Sequence, residues 1–280
     1  MSRETTYIPV YRQLIDTARR GFELLDDRSQ EQVLEFIVAS QDPSGSFTDR
    51  SKTPDMYYSL FGVWLSKALG LKDCIEKHRS FVSGLDPKLI NRNKVDIYIF
   101  ILIRLILMGK DKSRPSALSM LSLLSGKGKE INLVYRMFFF LLIYDAAYNH
   151  KGLMKLLAYL PLTILSPSTA CPCSNIAAII IAKNYAGINT SGDANLLMKY
   201  FREGDGFMVF PDAESSDLLS TAVSLFSLKK SGADLRLLVP DCLGFINDTY
   251  REGAFVSGDG DEIRDLEYTF YGLLALGSLN

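Results

Sequence analysis

The hydrophobic pattern of this chain predicts helices of two alternating kinds. One kind has a single apolar stripe, as in residues 30–37, and such a helix packs one face on a core while the other face meets solvent. The other kind is apolar nearly all round, as in residues 95–103 and 137–144, and must be surrounded by protein. We predict the first, outer kind at about residues 28–40, 72–83, 115–124, 151–160, 193–203 and 235–249. We predict the second, inner kind at about residues 54–69, 94–109, 131–149, 174–186, 216–230 and 264–278.

Outer and inner helices recur as pairs at a spacing of about 40 residues, which indicates a helical repeat. Strand signals are nearly absent from the sequence, so the pattern predicts an all-α fold. A closed toroid and a linear solenoid share this pattern. Residues 5–26 predict one more helix, which lies outside the repeat.

Three of the repeats share a turn motif before the inner helix. Each has a glycine turn that is followed by a phenylalanine, namely Phe47, Phe207 and Phe255. The inner helix then opens with an aspartate, namely Asp55, Asp217 and Asp265. An aspartate at this position accepts backbone N–H bonds and complements the helix dipole. We therefore expect all inner helices to be parallel, with the three aspartates at one rim.

The glycine-and-aromatic turn, the aspartate-led helix and the leucine-rich turns that follow resemble the repeat of protein prenyltransferase β subunits and squalene-hopene-type terpenoid cyclases. Residues 264–273 are the closest match, and the resemblance covers the chain from about residue 28. It implies an (α/α)6 toroid of six helical hairpins. We accordingly divide the chain into an extra N-terminal helix, residues 1–27, and a toroid, residues 28–280.

The zinc site that the resemblance implies is incomplete here. The metal aspartate corresponds to Asp217, but the cysteine position is Leu219 and the histidine position is Tyr268. A zinc site needs at least three protein ligands, so we predict no metal and no other cofactor.

The diphosphate site that the resemblance implies is also incomplete, because residues 209–217 are acidic where that family has basic residues. Phosphate recognition needs arginine, lysine or backbone N–H groups. Arg104 and Arg136, on inner helices, are the remaining candidates. Alternatively, each pairs with a carboxylate such as Asp96 or Asp145, since buried charges are normally paired.

We place any chemistry in the last repeat. Asp265 and Tyr268 are three residues apart and share a helix face, and Asp217 opens the neighbouring inner helix. We predict that these three residues meet at one mouth of the cavity as catalytic residues, with at least one carboxyl pKa raised. Glu267 lies about 200° around the helix from Asp265, so both cannot face the cavity squarely. The alternative is that the aspartates only cap helices.

Residues at or near the same rim are candidates for substrate binding. We predict Asp55, Tyr58, Tyr98, Tyr135, Arg136 and Cys173 in this role. Cys173 stands at the start of an inner helix, where a thiol pKa is lowered, although a buried and inert cysteine is the alternative.

Composition limits the classes of partner and the location that we expect for this protein. A net charge of −1 over 280 residues argues against nucleic acid. The most apolar run, residues 97–108, contains Arg104 and is shorter than the roughly 20 residues of a transmembrane helix. The chain has no apolar segment typical of a signal peptide and no disulfide-like cysteine pattern, so we expect a cytoplasmic protein.

Our leading functional hypothesis is that an apolar, isoprenoid-like molecule is bound or converted in the central cavity. A non-catalytic scaffold that binds a protein or peptide at the toroid rim is one alternative. A carbohydrate-active (α/α)6 barrel with paired carboxylates is the other.

Overall fold

The computed structural model describes residues 7–87, 90, 95–124, 133–148 and 162–280. Over these ranges the chain is mostly helical, which confirms the predicted all-α class. The helices are α1 Val10–Phe22, α2 Asp27–Ala39, α3 Met56–Leu69, α4 Lys72–Gly84, α5 Asp96–Met108, α6 Lys110–Ser113, α7 Ala117–Leu124, α8 Leu133–Tyr148, α9 Cys173–Ala186, α10 Ser191–Leu197, α11 Leu218–Ser231, α12 Val239–Asp248 and α13 Leu266–Leu279. Two short antiparallel strands, β1 Tyr250–Arg251 and β2 Ala254–Phe255, form the last turn.

The six predicted inner helices are all present, close to their predicted bounds, as α3, α5, α8, α9, α11 and α13. We call them the apolar helices. The predicted outer helices appear as α2, α4, α7, α10 and α12, while the one at residues 151–160 lies outside the described residues. α10 ends earlier than predicted and is followed by a 3-10 turn, Met198–Tyr200. The short helix α6 was not predicted.

The apolar helices pack on one another in chain order. α3 contacts α5, α5 contacts α8, α8 contacts α9, α9 contacts α11, and α11 contacts α13. The last of them, α13, contacts the first, α3. α2 and α4 also contact α3. These contacts on several sides agree with the absence of a polar face from the sequence of the apolar helices.

The predicted extra helix is α1, and it packs against the apolar helices near their carboxyl ends. It contacts α13, α3 and α8. A Cβ atom on Gly277, near the end of α13, would lie only 1.8 Å from the Thr17 carbonyl oxygen, so the two backbones cross closely. Asp145, near the end of α8, accepts hydrogen bonds from the Val10 backbone N–H, at 2.6 Å, and from the Tyr7 hydroxyl.

The three turn motifs fold alike in atomic detail. Their glycines, Gly45, Gly204 and Gly253, have φ angles of 96°, 76° and 90°, which only glycine adopts readily. The phenylalanine of each motif is almost fully buried. Its backbone N–H donates to a hydroxyl one turn inside the apolar helix: Phe47 to Ser59 at 3.2 Å, Phe207 to Thr221 at 2.9 Å, and Phe255 to Thr269 at 3.3 Å.

Each motif ends with its aspartate as the helix cap. The carboxylate accepts a backbone N–H bond from the third residue after it: Asp55 from Tyr58 at 2.9 Å, Asp217 from Ser220 at 2.8 Å, and Asp265 from Tyr268 at 2.7 Å. These bonds satisfy donors that the helix itself leaves free. The same turn therefore sets the start of α3, α11 and α13.

Candidate functional site

Residues near the amino ends of several apolar helices line a cavity of about 60 Å³, which is partly open to solvent. α8, α9, α11 and α13 supply its walls, which include Tyr135, Phe138, Asn175, Ala178, Leu219 and Tyr271. α3 reaches the same region through Tyr57, whose hydroxyl donates to Glu267 Oε1 at 2.5 Å. The lining is mainly aromatic and aliphatic, as is usual for a small-molecule site.

Three residues of the cavity wall, Leu219, Val223 and Tyr271, stand at fixed positions after the turn motif. Counting from the capping aspartate, the second and sixth residues of each helix are one turn apart and share a face. On α11 these are Leu219 and Val223, and both line the cavity. On α13 they are Glu267 and Tyr271. On α3 they are Tyr57 and Phe61, and the Phe61 ring lies 5.6 Å from that of Tyr271.

Glu267 is the acidic group of this inner face. Its side chain is largely enclosed by protein and keeps some accessible surface, but it is not among the residues that line the cavity. Burial raises the pKa of its carboxyl from 4.5 to about 7, and the charges of Asp265 and Asp217 add to the rise. The hydrogen bond from Tyr57 and the charge of Arg50 oppose it. The carboxyl therefore titrates near neutral pH.

Asp265 is tied to the first repeat by an ion pair. Arg50 Nε lies 2.6 Å from Asp265 Oδ2, and Arg50 Nη1 lies 2.5 Å from Asp261 Oδ2. Burial raises the pKa of the Asp265 carboxyl, while the cap bond and Arg50 oppose the rise. The guanidinium also lies 5.6 Å from the ring centre of Tyr268. One arginine thus joins the turns before α3 and α13.

The three residues predicted to be catalytic lie within electrostatic range of one another. Burial raises the pKa of Tyr268, and the charges of Asp217 and Asp265 contribute to the rise. Asp217 is 7% exposed, and burial raises its carboxyl pKa. Their role in any reaction stays a prediction.

Three residues predicted to bind substrate also lie at these helix starts. Asp55 is the cap of α3. Burial and the charge of Asp265 raise the pKa of Tyr58 to about 12, which places Tyr58 near the Arg50 ion pair. Tyr135 lines the cavity.

Two further residues predicted to bind substrate, Tyr98 and Cys173, are fully buried, and their role stays a prediction. Tyr98 is fully buried between α5 and α7, where its hydroxyl donates to the Leu123 carbonyl oxygen at 2.6 Å. Cys173 is also fully buried, with its Sγ 2.9 Å from Ser224 Oγ. Burial raises the thiol pKa of Cys173 to about 12, because desolvation outweighs the effect of the helix start. Cys173 is therefore the inert, packed cysteine of the alternative interpretation.

Asp145, one of the two carboxylates offered as partners for Arg136, accepts hydrogen bonds from the Tyr7 hydroxyl and the Val10 backbone N–H. The Nε and Nη1 atoms of Arg136 are buried, and no acceptor among the described residues bonds them. Arg136 follows the cavity residue Tyr135 on α8, and its charge lowers the pKa of Tyr98 on α5.

Glu267 is the residue that the sequence argument missed. We favoured Asp265 because the two residues cannot face the cavity together, and that geometric argument was sound. In the structure Asp265 caps α13 and pairs with Arg50, while Glu267 accepts a hydrogen bond from Tyr57 of α3. A signal was present: Glu267 occupies the register of Leu219, the position where the resemblance puts a metal-binding cysteine.

The described residues contain no group of three or more histidine, cysteine, aspartate or glutamate side chains that could hold a metal ion. Leu219 is part of the cavity wall. His78 is buried against the Gly45 carbonyl oxygen, and burial lowers its pKa to about 4. His150 lies outside the described residues.

Comparisons of this chain with models of known families, with curated proteins and with solved structures found no match. The family resemblance of the turn motif therefore stays a prediction. Among the helices that the structure describes, none has both the length and the hydropathy to cross a membrane.

Proposed function

We propose that this chain is an (α/α)6 toroid that binds a compact, apolar, isoprenoid-like group in its central cavity. The observation that carries the proposal is the cavity near the amino ends of the apolar helices, with Tyr135 and Tyr271 in its wall. The charge of Glu267 acts on both of these tyrosines. Kinship with prenyltransferases and terpenoid cyclases is part of this proposal and rests on the turn motif.

The contacts between helices support a closed toroid over a solenoid. In a linear solenoid the first and last repeats lie apart. Here α13 packs on α3, and Arg50 from the first repeat bonds Asp265 from the last at 2.6 Å. The apolar helices would then be the inner ring, with their amino ends around the cavity and α1 across the opposite mouth.

The size of the cavity limits the ligand. A buried water needs about 10–15 Å³ of cavity volume. A cavity of about 60 Å³ therefore admits a group of roughly four to six non-hydrogen atoms. A single branched isoprene unit has this size, so a longer chain would leave its remainder outside. A sugar ring with its hydroxyls is larger and more polar, which disfavours the carbohydrate-active alternative.

The acidic groups near the cavity support a role in proton donation. A carboxyl whose pKa is about 7 is half protonated at neutral pH, so Glu267 can donate a proton to a bound group. Asp217 and Asp265 stabilise that protonated form through their negative charges. The same charges repel a diphosphate, so we propose a ligand without one.

One observation favours the scaffold alternative, because α1 packs against the ends of α3, α8 and α13 and so fills space opposite the cavity. A scaffold would not need the cavity to bind anything. Ligand binding therefore separates the two candidates.

The test measures the binding of isopentyl alcohol, a branched five-carbon probe. Binding is detected by titration calorimetry and by shifts of tyrosine NMR signals. Ala178→Phe, which fills the cavity wall, is expected to weaken binding at least about tenfold. Leu237→Phe is the matched control, because Leu237 is 89% exposed, and it should bind as the unaltered protein does.

Failure of the unaltered protein to bind the probe would contradict the proposal. Equal binding by the Ala178→Phe variant, once circular dichroism shows that it is folded, would place the probe elsewhere and would favour the scaffold.

A further inference from the structure

A second pocket lies beside α1 and is larger than the central cavity. Its volume is about 210 Å³, and it is partly open to solvent. Its wall is formed by residues at the start of α1 and by residues near the carboxyl ends of α9 and α11. We call it the α1 pocket. Among the described residues, Ile181 is the one that lines both this pocket and the central cavity.

Lys230 is the one charged side chain in the described wall of the α1 pocket. It is partly buried, and its Nζ lies 5.3 Å from the ring centre of Phe226. It forms no ion pair with a carboxylate of the described residues. Burial lowers the pKa of its ammonium group, and the charges of Arg20 and Lys229 add to the fall. A cation that is partly withdrawn from water favours an anionic partner, so this wall favours an anionic ligand.

The acidic group near the start of α1 does not supply that partner. Asp145 is fully buried and is not part of the pocket wall. Its carboxylate accepts hydrogen bonds from the Tyr7 hydroxyl and from the Val10 backbone N–H. The ammonium of Lys230 is therefore left for a ligand, and one lysine matches a ligand with a single negative charge.

The rest of the wall is suited to an aromatic group. The rings of Tyr7, Tyr185 and Phe226 line the pocket. Those of Tyr7 and Tyr185 meet edge to face with their centres 6.3 Å apart, an arrangement that aromatic rings prefer. At about 10–15 Å³ for each water-sized group, a volume of about 210 Å³ admits roughly 14 to 21 non-hydrogen atoms. An aromatic carboxylic acid is well within this size.

We propose that the α1 pocket binds a small aromatic carboxylate, whose anionic group pairs with Lys230 Nζ and whose ring packs among Tyr7, Tyr185 and Phe226. This inference goes beyond the proposed function, because it concerns a second pocket and does not depend on the ligand of the central cavity.

Three probes separate the charge of the ligand from its ring. Benzoate and benzyl alcohol share the ring, and only benzoate is charged at pH 7, since carboxyl groups ordinarily titrate near pH 4. Cyclohexanecarboxylate keeps the charge and lacks the aromatic ring. We expect benzoate to bind the full chain at least about tenfold more tightly than benzyl alcohol and about threefold more tightly than cyclohexanecarboxylate. Binding is measured by shifts of tyrosine NMR signals.

Lys230→Gln removes the charge and keeps a side chain of similar length. We expect this variant to bind benzoate at least about tenfold more weakly, with the affinity for benzyl alcohol unchanged. Lys199→Gln is the control, because Lys199 is exposed and does not line the pocket, and it should bind benzoate as the unaltered protein does.

Absence of benzoate binding, or equal binding of benzyl alcohol, would overturn the inference. Benzoate binding that survives Lys230→Gln would overturn it too, because the anion would then lie elsewhere. Equal binding of cyclohexanecarboxylate would refute the aromatic part of the assignment. None of these outcomes bears on isopentyl alcohol in the central cavity, so this inference and the proposed function fail separately.

Discussion

Replacement of Glu267 by glutamine should change how the stability of the protein depends on pH. The carboxyl pKa is about 7 in the folded protein against an ordinary 4.5, so folding favours the protonated form. The stability that protonation contributes is fully present below pH 4.5 and is lost as the pH rises through 7. A pKa shift of this size corresponds to about 3 kcal/mol in the free energy of unfolding. Glutamine never ionises, so the variant does not lose this stability as the pH rises.

The assay is urea unfolding of both proteins between pH 5 and pH 8. We expect the stability of Glu267→Gln relative to the unaltered protein to rise by about 2 to 3 kcal/mol over this range. Glu262→Gln, on the surface, should keep a nearly constant difference. If the difference for Glu267→Gln changes by less than about 0.5 kcal/mol, the raised pKa and the enclosed position of this carboxyl are refuted.

Three further predictions follow from packing and chemistry. Gly277→Ala should destabilise the fold by about 1–3 kcal/mol or more, because its Cβ would lie 1.8 Å from the Thr17 carbonyl oxygen. Gly192→Ala is the control: nothing lies within 4 Å of a Cβ there, so stability should change by less than about 1 kcal/mol. Cys173 should react with thiol reagents only after unfolding, and rapid labelling of the native protein at this residue would contradict its burial. Purified protein should contain well under one zinc per chain by metal analysis, and a stoichiometric zinc on Asp217 would show that prediction to be wrong.

The local structure was largely predictable because it depends on neighbouring residues. The helices apolar on all sides, such as α5 and α8, could be recognised from their periodicity alone. The turn motif also predicted the starts of α3, α11 and α13, since an aspartate cap is a short-range interaction. The structure added a detail to this motif, the bond from the phenylalanine N–H to the hydroxyl of Ser59, Thr221 or Thr269.

The candidate site was only partly predictable from the sequence. The helix starts that surround it were expected, and Tyr135 was among the predicted residues. For Cys173 the sequence shows its place at a helix start but not the depth of protein around it, which raises its thiol pKa to about 12. Desolvation depends on every neighbour in space, so no local pattern measures it.

The sequence by itself determined the helical class, the alternation of solvent-facing and enclosed helices, and the aspartate caps, since each follows from contacts within one turn or one helix. Only the tertiary structure decided that α13 packs on α3, that α1 packs on α3, α8 and α13, and that Glu267 bonds Tyr57 while Asp265 caps its own helix. These outcomes join distant residues, as in the bond from Arg50 to Asp265, which are 215 positions apart. The choice among such distant pairings is made by the packing of the whole chain. A capping aspartate is committed to its own helix, so the side chain two positions further on is left to contact the neighbouring helix.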